Sequence, residues 1–286
     1  MTLVFAGACS HAPGITGRAE RADKQVREEF FENFHRLGEA IRSSGAEALV
    51  VIAAEHFANF FKNNMPSFVV GMADYYTGPI EDEKWLGIRK TKVPGNANLS
   101  KRLIQRIMQD VDVSFAEEMQ FDHGVSVPLH FLTPQYDLDV IPIVINCQAP
   151  PLAPMHRVYE FGRALRKAID AAPEKIAVVC TGGISHWPAT PDSGKINEEF
   201  DREFLGRFLA NDRDALVAYT DEEIYDRGGQ GGFEIRTYVA LAGLCEGGKG
   251  YLWFYAPIPI FAVGCTIATM DVARQDVSDS GLSSAV

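Results

Sequence analysis

The chain has 286 residues, of which 47% are hydrophobic and 23% charged, and its formal net charge is −11. A chain of this length and balance forms one large or two modest globular domains, with a core that needs no disulfide staple. The acidic charge argues against a nucleic-acid-binding protein, because phosphate contacts need basic patches.

Short apolar runs alternate with amphipathic segments along the chain. The run TLVFAGAC (2–9) predicts a first strand, and a helix is predicted over residues 19–44. The run EALVVIAA (47–54) predicts a buried strand that ends at Glu55-His56. Further strands are predicted at SFVVGM, DVIPIVIN, KIAVVCTGG and GYLWFYAPIPIFAVG, and further helices at 97–110, 155–171, 195–210 and 232–245.

Strands alternating with helices predict an α/β fold, with a mixed or largely parallel central sheet and helices on both faces. We expect a single domain over residues 1–275, followed by a disordered tail at 276–286, where the sequence is small and polar.

The five cysteines are odd in number, form no C-x-x-C pair and mostly stand in apolar runs. This pattern predicts reduced thiols and a cytoplasmic protein. No apolar stretch approaches the roughly 20 residues that span a bilayer. We therefore expect no membrane partner.

Three of the seven histidines directly follow apolar strand runs. They are His11 after TLVFAGAC, His56 after ALVVIAA, and His186 in TGGISH. Ligands in open α/β folds bind beyond the carboxyl ends of strands, so we expect these side chains to converge. His123, in a Phe-Asp-His-Gly turn, is a fourth candidate. Neutral imidazole is the commonest protein metal ligand, so this set predicts a metal site.

Glu234 follows the glycine-rich run 228–232 and precedes an apolar helix. A helix N-terminus favours a carboxylate, but that preference does not explain the glycines. Glu222 and Glu223 are alternatives in a polar stretch. Two histidines and one carboxylate form the facial triad typical of non-haem Fe(II) oxygenases. Zinc accepts the same ligands, so their types alone leave the metal open.

The chain resembles the LigB-type class III extradiol dioxygenases from its first strand to about residue 270. The order and spacing of seven short motifs carry this resemblance. They are SHAP (10–13), EHFANFF (55–61), MPSF (65–68), DHG (122–124), VPL (127–129), TGGISH (181–186) and INEEFD (196–201).

The resemblance implies an Fe(II) enzyme that inserts both atoms of O2 into a catechol-like ring and opens it. The ring would be dihydroxylated, aminohydroxylated or a hydroxypyridone. By the same resemblance, His11, His56 and Glu234 are the Fe(II) ligands, His186 is the base, and His123 is its acid–base partner. It also implies a homo-oligomer, and some relatives need a separate small α subunit.

Substrate contacts are predicted from residue type and position. An Arg or Lys would be needed for a substrate carboxylate, and Arg18 is an alternative to Arg236 for that role. The predicted substrate-binding residues are Ser185, Thr181, Trp187, Phe57 and Arg236. Two other functions remain open: a zinc-type metallohydrolase with the same His/His/Glu site, and a non-catalytic, Memo-like binding protein.

Overall fold

The computed structural model describes residues 2–272, which contain ten strands and ten α-helices. The strands are β1 (Leu3–Cys9), β2 (Ala48–Ala54), β3 (Phe68–Gly71), β4 (Tyr75–Gly78), β5 (Thr91–Pro94), β6 (Ser114–Ala116), β7 (Asp139–Ile145), β8 (Ile176–Thr181), β9 (Gly250–Ile258) and β10 (Val263–Met270). The helices are α1 (Gly14–Gly17), α2 (Lys24–Ser43), α3 (Glu83–Leu86), α4 (Ala97–Ile107), α5 (His123–Leu132), α6 (Met155–Asp170), α7 (Glu198–Ala210), α8 (Arg213–Val217), α9 (Asp221–Gly228) and α10 (Ile235–Leu244).

Eight strands form one mixed sheet in the order β6-β3-β7-β2-β8-β1-β10-β9, and β4 and β5 form a separate hairpin. The four neighbours β7, β2, β8 and β1 are mutually parallel. Their carboxyl ends therefore meet at one edge of the sheet. On the outer side of β1, strands β10 and β9 pair antiparallel.

Helices cover both faces of the sheet, and every residue of β2 is buried. Val50 and Ile52 join a core cluster with residues of α4, α6 and α10. Leu49 and Val51 join the opposite cluster, with residues of α2 and α5. A strand buried on both faces is apolar throughout rather than alternating, as its sequence indicated. The predicted single α/β domain with a mixed, largely parallel sheet is confirmed.

Helix α2 begins later than its pattern predicted. A separate 3-10 turn, Ala19–Arg21, precedes it. Asp23 then caps α2 by accepting a hydrogen bond from the backbone N–H of Val26 at 3.1 Å. Residues spaced by three and four, such as Phe30, Phe34 and Leu37, turn toward the sheet and are fully buried.

Helix α5 had no amphipathic pattern to predict it. Eight of its ten residues are buried, so no polar stripe marks an outer face. Pro128 within it also disfavours a helix by propensity. His123, expected in a turn, is instead the first residue of α5, and Asp122 is its N-cap.

Three other expectations concern the cysteines, membrane-spanning helices and the C-terminal tail. All five cysteines are buried and unpaired. No helix within residues 2–272 combines the length and apolar character needed to cross a membrane. The tail predicted at 276–286 lies outside the described residues.

Candidate metal centre and its cleft

The parallel strands place the three histidines that follow apolar runs at one edge of the sheet. His11 lies two residues beyond the end of β1, and His56 two residues beyond the end of β2. β8 lies between these strands, and the loop that follows it carries His186. The rings of His11 and His56 approach to 5.0 Å between centroids. The convergence expected from strand ends alone is present in the structure.

Glu234 lies at the centre of this cluster and is 2% exposed. Its Oε2 is 3.1 Å from Nε2 of His11, and its Oε1 is 3.1 Å from Nε2 of His56. Nε2 of His186 is 3.5 Å from Oε1. The backbone N–H of Gly183 donates to Oε2 at 2.7 Å, which fixes the carboxylate from the β8 side. Glu234 ends the 3-10 turn Gly231–Glu234, and α10 follows at once.

Hydrogen bonds determine which ring nitrogens face Glu234. Nδ1 of His11 is 3.0 Å from the Thr181 hydroxyl, which donates its own proton to the Gly124 carbonyl. The hydroxyl must therefore accept from Nδ1–H of His11. Nδ1 of His56 lies 2.9 Å from Oδ2 of Asp122 and donates to that carboxylate. When the two rings are neutral, the Nε2 atom of each therefore carries a lone pair.

These lone pairs point at carboxylate oxygens, an arrangement that requires a cation between them. The cation is either a proton on the imidazole or a metal ion. Two ligand atoms bound at right angles to a transition metal, each at about 2.1 Å, lie about 3 Å apart. The two distances of 3.1 Å to Glu234 match this spacing. The donor set of His11, His56 and Glu234 therefore fits a divalent transition metal.

Burial and charge act in opposition on the titratable groups. Burial lowers the pKa of His11 despite the nearby Glu234. Burial also disfavours a charged His56, but Asp122 and Glu234 outweigh it and raise the pKa of His56. Burial alone would raise the pKa of Glu234, yet His11 and His186 hold that pKa well below its usual range. The carboxylate is thus the fixed negative charge of the cluster.

The glycine run before Glu234 lies against His186. A Cβ atom on Gly231 would come within 2.4 Å of the His186 ring. Gly229 has a φ of 74°, and its Cβ would meet Trp187 at 2.7 Å. Nδ1 of His186 lies 3.2 Å from the Ile184 carbonyl and donates to it, so Nε2 faces the cluster. Gly229 and Gly231 are therefore explained by close packing over His186 and Trp187.

His123 approaches the same cluster from the start of α5. Its ring centroid is 4.3 Å from that of His56 and 5.6 Å from that of His11. Ring nitrogens of these three histidines lie within 4.8 Å of one another. His123 is thus close enough to act on a ligand held at the cluster.

A cleft of about 480 Å³ opens over the cluster and includes His11, His56, His123, His186 and Glu234 in its lining. Arg18 is the only Arg or Lys among the described lining residues, and its side chain is exposed. The walls are otherwise mostly apolar. They include Phe57, Trp85, Pro188, Ile260, Phe261 and Val263.

Of the five predicted substrate-binding residues, Phe57 lines this cleft. Thr181 and Ser185 are fully buried behind it. The Thr181 hydroxyl is engaged by His11, and the Ser185 hydroxyl accepts from the backbone N–H of Asn197 at 2.8 Å. Neither residue lines the cleft, and both support the site from behind.

Arg236 and Trp187 also lie outside the cleft lining. Arg236 is fully buried, pairs with Asp221 and donates to the Ala153 carbonyl at 3.1 Å. Its guanidinium is therefore engaged by the protein itself, away from the cleft. Trp187 instead stacks under the ammonium of Lys195, 4.4 Å from the ring centroid.

Sequence reasoning missed Glu81, Trp85 and Gln148. Trp85 and Gln148 line the cleft, and Gln148 donates to Oε1 of Glu234 at 3.4 Å. Glu81 accepts a hydrogen bond from His123 at 2.7 Å. Glu81 and Trp85 belong to the polar run EDEKW, which looks like an ordinary solvated helix start, so no signal marked them.

The fold and the site define a small-molecule enzyme whose donor set suits a divalent metal. The sequence profile of the family described as "Catalytic LigB subunit of aromatic ring-opening dioxygenase" matches residues 6–264. The chain belongs to this family and is a ring-cleavage dioxygenase. Membership argues against the non-catalytic, Memo-like alternative.

Individual relatives agree with this family. The 2,3-dihydroxyphenylpropionate/2,3-dihydroxicinnamic acid 1,2-dioxygenase of Photorhabdus laumondii is 28% identical, across 93% of this chain and 96% of that protein. The protein of the same name from Cupriavidus necator is 30% identical, across 91% and 92%. Gallate dioxygenase of Pseudomonas putida is 35% identical, across 53% of this chain and 46% of that protein. An uncharacterized Escherichia coli K12 protein has a similar fold, with a TM-score of 0.58 and 16% identity over 93% of this chain and 99% of that one.

Proposed function

We propose that the protein is an Fe(II)-dependent extradiol dioxygenase that inserts both atoms of O2 into a catechol-like ring and opens it. His11, His56 and Glu234 would hold the iron. The observation that carries this proposal is the pair of imidazole Nε2 atoms directed at one buried carboxylate, 3.1 Å away on each side. Bound Fe(II) would supply a Lewis acid that favours the ring's anionic form and open positions for ring and oxygen.

His186 is proposed as the base that takes a proton from the ring hydroxyl. Its Nδ1–H donates to the Ile184 carbonyl, so Nε2 is the nitrogen available to the cleft. Burial disfavours its charged form, but Glu234 and the carbonyl together raise the pKa of His186. An imidazole with Nε2 directed at the cleft suits proton removal, because the pKa of histidine lies close to neutral pH.

His123 is proposed as the second proton-handling group. It lines the same cleft as His186 and lies beside His56. Nδ1 of His123 is engaged by Glu81 at 2.7 Å, which leaves Nε2 to give or take a proton. Two histidines in one cleft can therefore serve opposite proton transfers.

The apolar wall is proposed to hold the ring and limit water. Phe57, Trp85 and Phe261 are the aromatic members of the wall. An apolar cleft with a few convergent polar groups is the usual form of a small-molecule site. The aromatic side chains suit a flat ring better than an extended chain.

We further propose that the substrate carries a carboxylate, which Arg18 binds at the cleft rim. Within residues 2–272 the guanidinium of Arg18 makes no ion pair, whereas that of Arg236 pairs with Asp221. A guanidinium matches a carboxylate in two parallel hydrogen bonds. The names of the relatives, dihydroxyphenylpropionate and gallate dioxygenases, denote carboxylated phenols. Aminophenols and hydroxypyridones are the competing ring classes.

The remaining proposals are that one domain spans residues 1–275 and that the protein is a cytoplasmic homo-oligomer. The buried, unpaired cysteines are consistent with a reducing compartment. The need for a separate small α subunit is tested by activity of the chain alone.

The proposed function is tested by anaerobic loading with Fe(II), followed by mixing with oxygen and a panel of catechols, carboxylated catechols, aminophenols and hydroxypyridones. We expect one O2 consumed per ring and a coloured ring-opened product. Zn(II)-loaded protein is the control and should consume none. Hydrolase activity with zinc and no oxygen uptake with iron would instead support the metallohydrolase alternative.

A further inference from the structure

The chain segment 77–81 runs beside the segment that leads into α5. The backbone N–H of Phe121 donates to the Thr77 carbonyl at 2.9 Å, and the N–H of Ile80 donates to the Phe121 carbonyl at 2.8 Å. Gly78 permits this approach, because a Cβ there would lie 2.5 Å from Cβ of Phe121. These bonds align the residue after Ile80 with the start of α5.

That residue is Glu81, and one of its carboxylate oxygens accepts two hydrogen bonds from His123. Oε1 accepts from the backbone N–H of His123 at 2.9 Å and from its ring Nδ1 at 2.7 Å. The other oxygen, Oε2, is buried and has no hydrogen-bond partner among the residues described. The side chains of Glu81 and His123 are 15% and 16% exposed, so water competes little for this contact.

We propose that Glu81 is a positioning residue for His123, which it holds in the tautomer with the proton on Nδ1. Nε2 is then the ring nitrogen presented to the cleft. The proposal builds on the proposed function, since it names the group that keeps His123 ready for proton transfer. A carboxylate behind an imidazole is a common means of fixing both tautomer and ring orientation.

Capping of α5 alone does not account for Glu81. Asp122 already caps that helix, since its Oδ1 accepts from the Gly124 N–H at 2.8 Å. A residue needed only for the helix would have no reason to engage the ring. The ring contact is instead the shorter of the two bonds that Glu81 makes to His123.

The first test reads the tautomer directly, without catalysis. Protein labelled with ¹⁵N-histidine is studied without metal by NMR, at a pH where the ring is neutral, and His123 is assigned from the spectrum of His123→Asn. We expect Nδ1 of His123 to be protonated in the wild type. Glu81→Ala should shift the ring toward the Nε2–H form, whereas Glu83→Ala, which removes an exposed neighbouring charge, should not. A wild-type ring protonated only on Nε2 overturns the proposal.

The second test is kinetic. Glu81→Ala should lower kcat for ring cleavage by about 10-fold to 100-fold, with KM and iron content unchanged within about 2-fold. Glu81→Gln keeps an oxygen acceptor and should retain most of the kcat. In a His123→Asn background, Glu81→Ala should have no further effect, because both substitutions remove one function. Additive losses, or an equal loss in Glu81→Gln and Glu81→Ala, contradict the proposal.

If Glu81→Ala does not fold, Glu81→Asp replaces it, since the shorter side chain withdraws the acceptor and keeps the charge. Glu81→Asp should give the same shift of tautomer, and an unchanged tautomer overturns the proposal. If the wild type cleaves no ring at all, the proposed function fails, while the NMR result still decides whether Glu81 sets the His123 tautomer.

Discussion

Nε2 of His11 lies 3.1 Å from Oε2 of Glu234, while Nδ1–H of the same ring is already donated to Thr181. A neutral His11 therefore directs a lone pair at a carboxylate oxygen. Both groups are about 3% exposed, so water cannot relieve the repulsion. This contact is the clearest physical indication that the cluster is built for a cation.

Thr181 should control metal affinity without touching the metal. Thr181→Val removes the acceptor that holds His11 in its Nδ1–H tautomer, at nearly constant volume. We expect metal affinity to fall about 10-fold to 100-fold, as is typical when the partner of a ligating histidine is lost. Chelator competition measures this change. Thr133→Val, another buried threonine, is the control and should leave the affinity unchanged.

Gly231 should be intolerant of a side chain because of His186. Gly231→Ala places a Cβ about 2.4 Å from that ring, so the ring must move. We expect kcat to fall more than about 10-fold, with iron retained, because a small misplacement of His186, the proposed base, would be costly. Gly206→Ala is the matched control, since nothing lies within 4 Å of its added Cβ. That variant should keep full activity; equal activity of both variants would contradict the packing argument.

Arg18 should determine the preference for carboxylated substrates. Arg18→Gln is expected to raise KM for a carboxylated catechol about 10-fold, since a hydrogen bond to a charged group contributes about 1.5–3 kcal/mol. KM for unsubstituted catechol should not change. Steady-state oxygen uptake with both substrates provides the comparison. Arg21→Gln, at an exposed arginine of the 3-10 turn that follows Arg18, should affect neither value.

Asp201 should make stability depend on pH. Burial raises the pKa of Asp201 to about 6, even though the Ser185 N–H and the Tyr255 hydroxyl donate to it. Because the folded pKa lies above the unfolded value, the folded state favours the protonated form. The stabilising contribution of the Asp201 carboxyl is therefore fully present below about pH 4 and is lost as pH rises through about 6.

Asp201→Asn should remove this dependence. The free energy of unfolding of the variant, relative to the wild type, should increase by about 2–3 kcal/mol between pH 4 and pH 7. Urea denaturation at the two pH values measures the difference. A constant difference would mean that the carboxyl titrates alike in the folded and unfolded states.

The sequence predicted much of this site because strand ends are visible in it. His11, His56 and His186 follow apolar runs, and parallel strands bring such positions together. Glu234 was identified less directly, from glycines that prove to pack against His186. These features depend on local sequence and on general rules of α/β topology.

The direction of individual side chains could not be predicted in this way. Arg236 and Arg18 were both candidates in the sequence for binding a carboxylate. In the structure Arg236 pairs with Asp221, whereas Arg18 lines the cleft. Glu81 meets His123 across 42 positions of sequence, through loop pairing that no local pattern encodes. Helix α5 was missed because its buried surroundings hide the periodicity.

His11, His56 and Glu234 are proposed to hold the iron that ring cleavage would need. Its most direct test is iron content, measured beside oxygen uptake, in His56→Ala after anaerobic Fe(II) loading and desalting. We predict less than about a tenth of the wild-type iron content and no ring-dependent oxygen uptake, because the variant keeps only two of the three ligands of the facial triad. His186→Ala should retain iron yet lose turnover. A His56→Ala protein that is replete with iron and active would contradict the account.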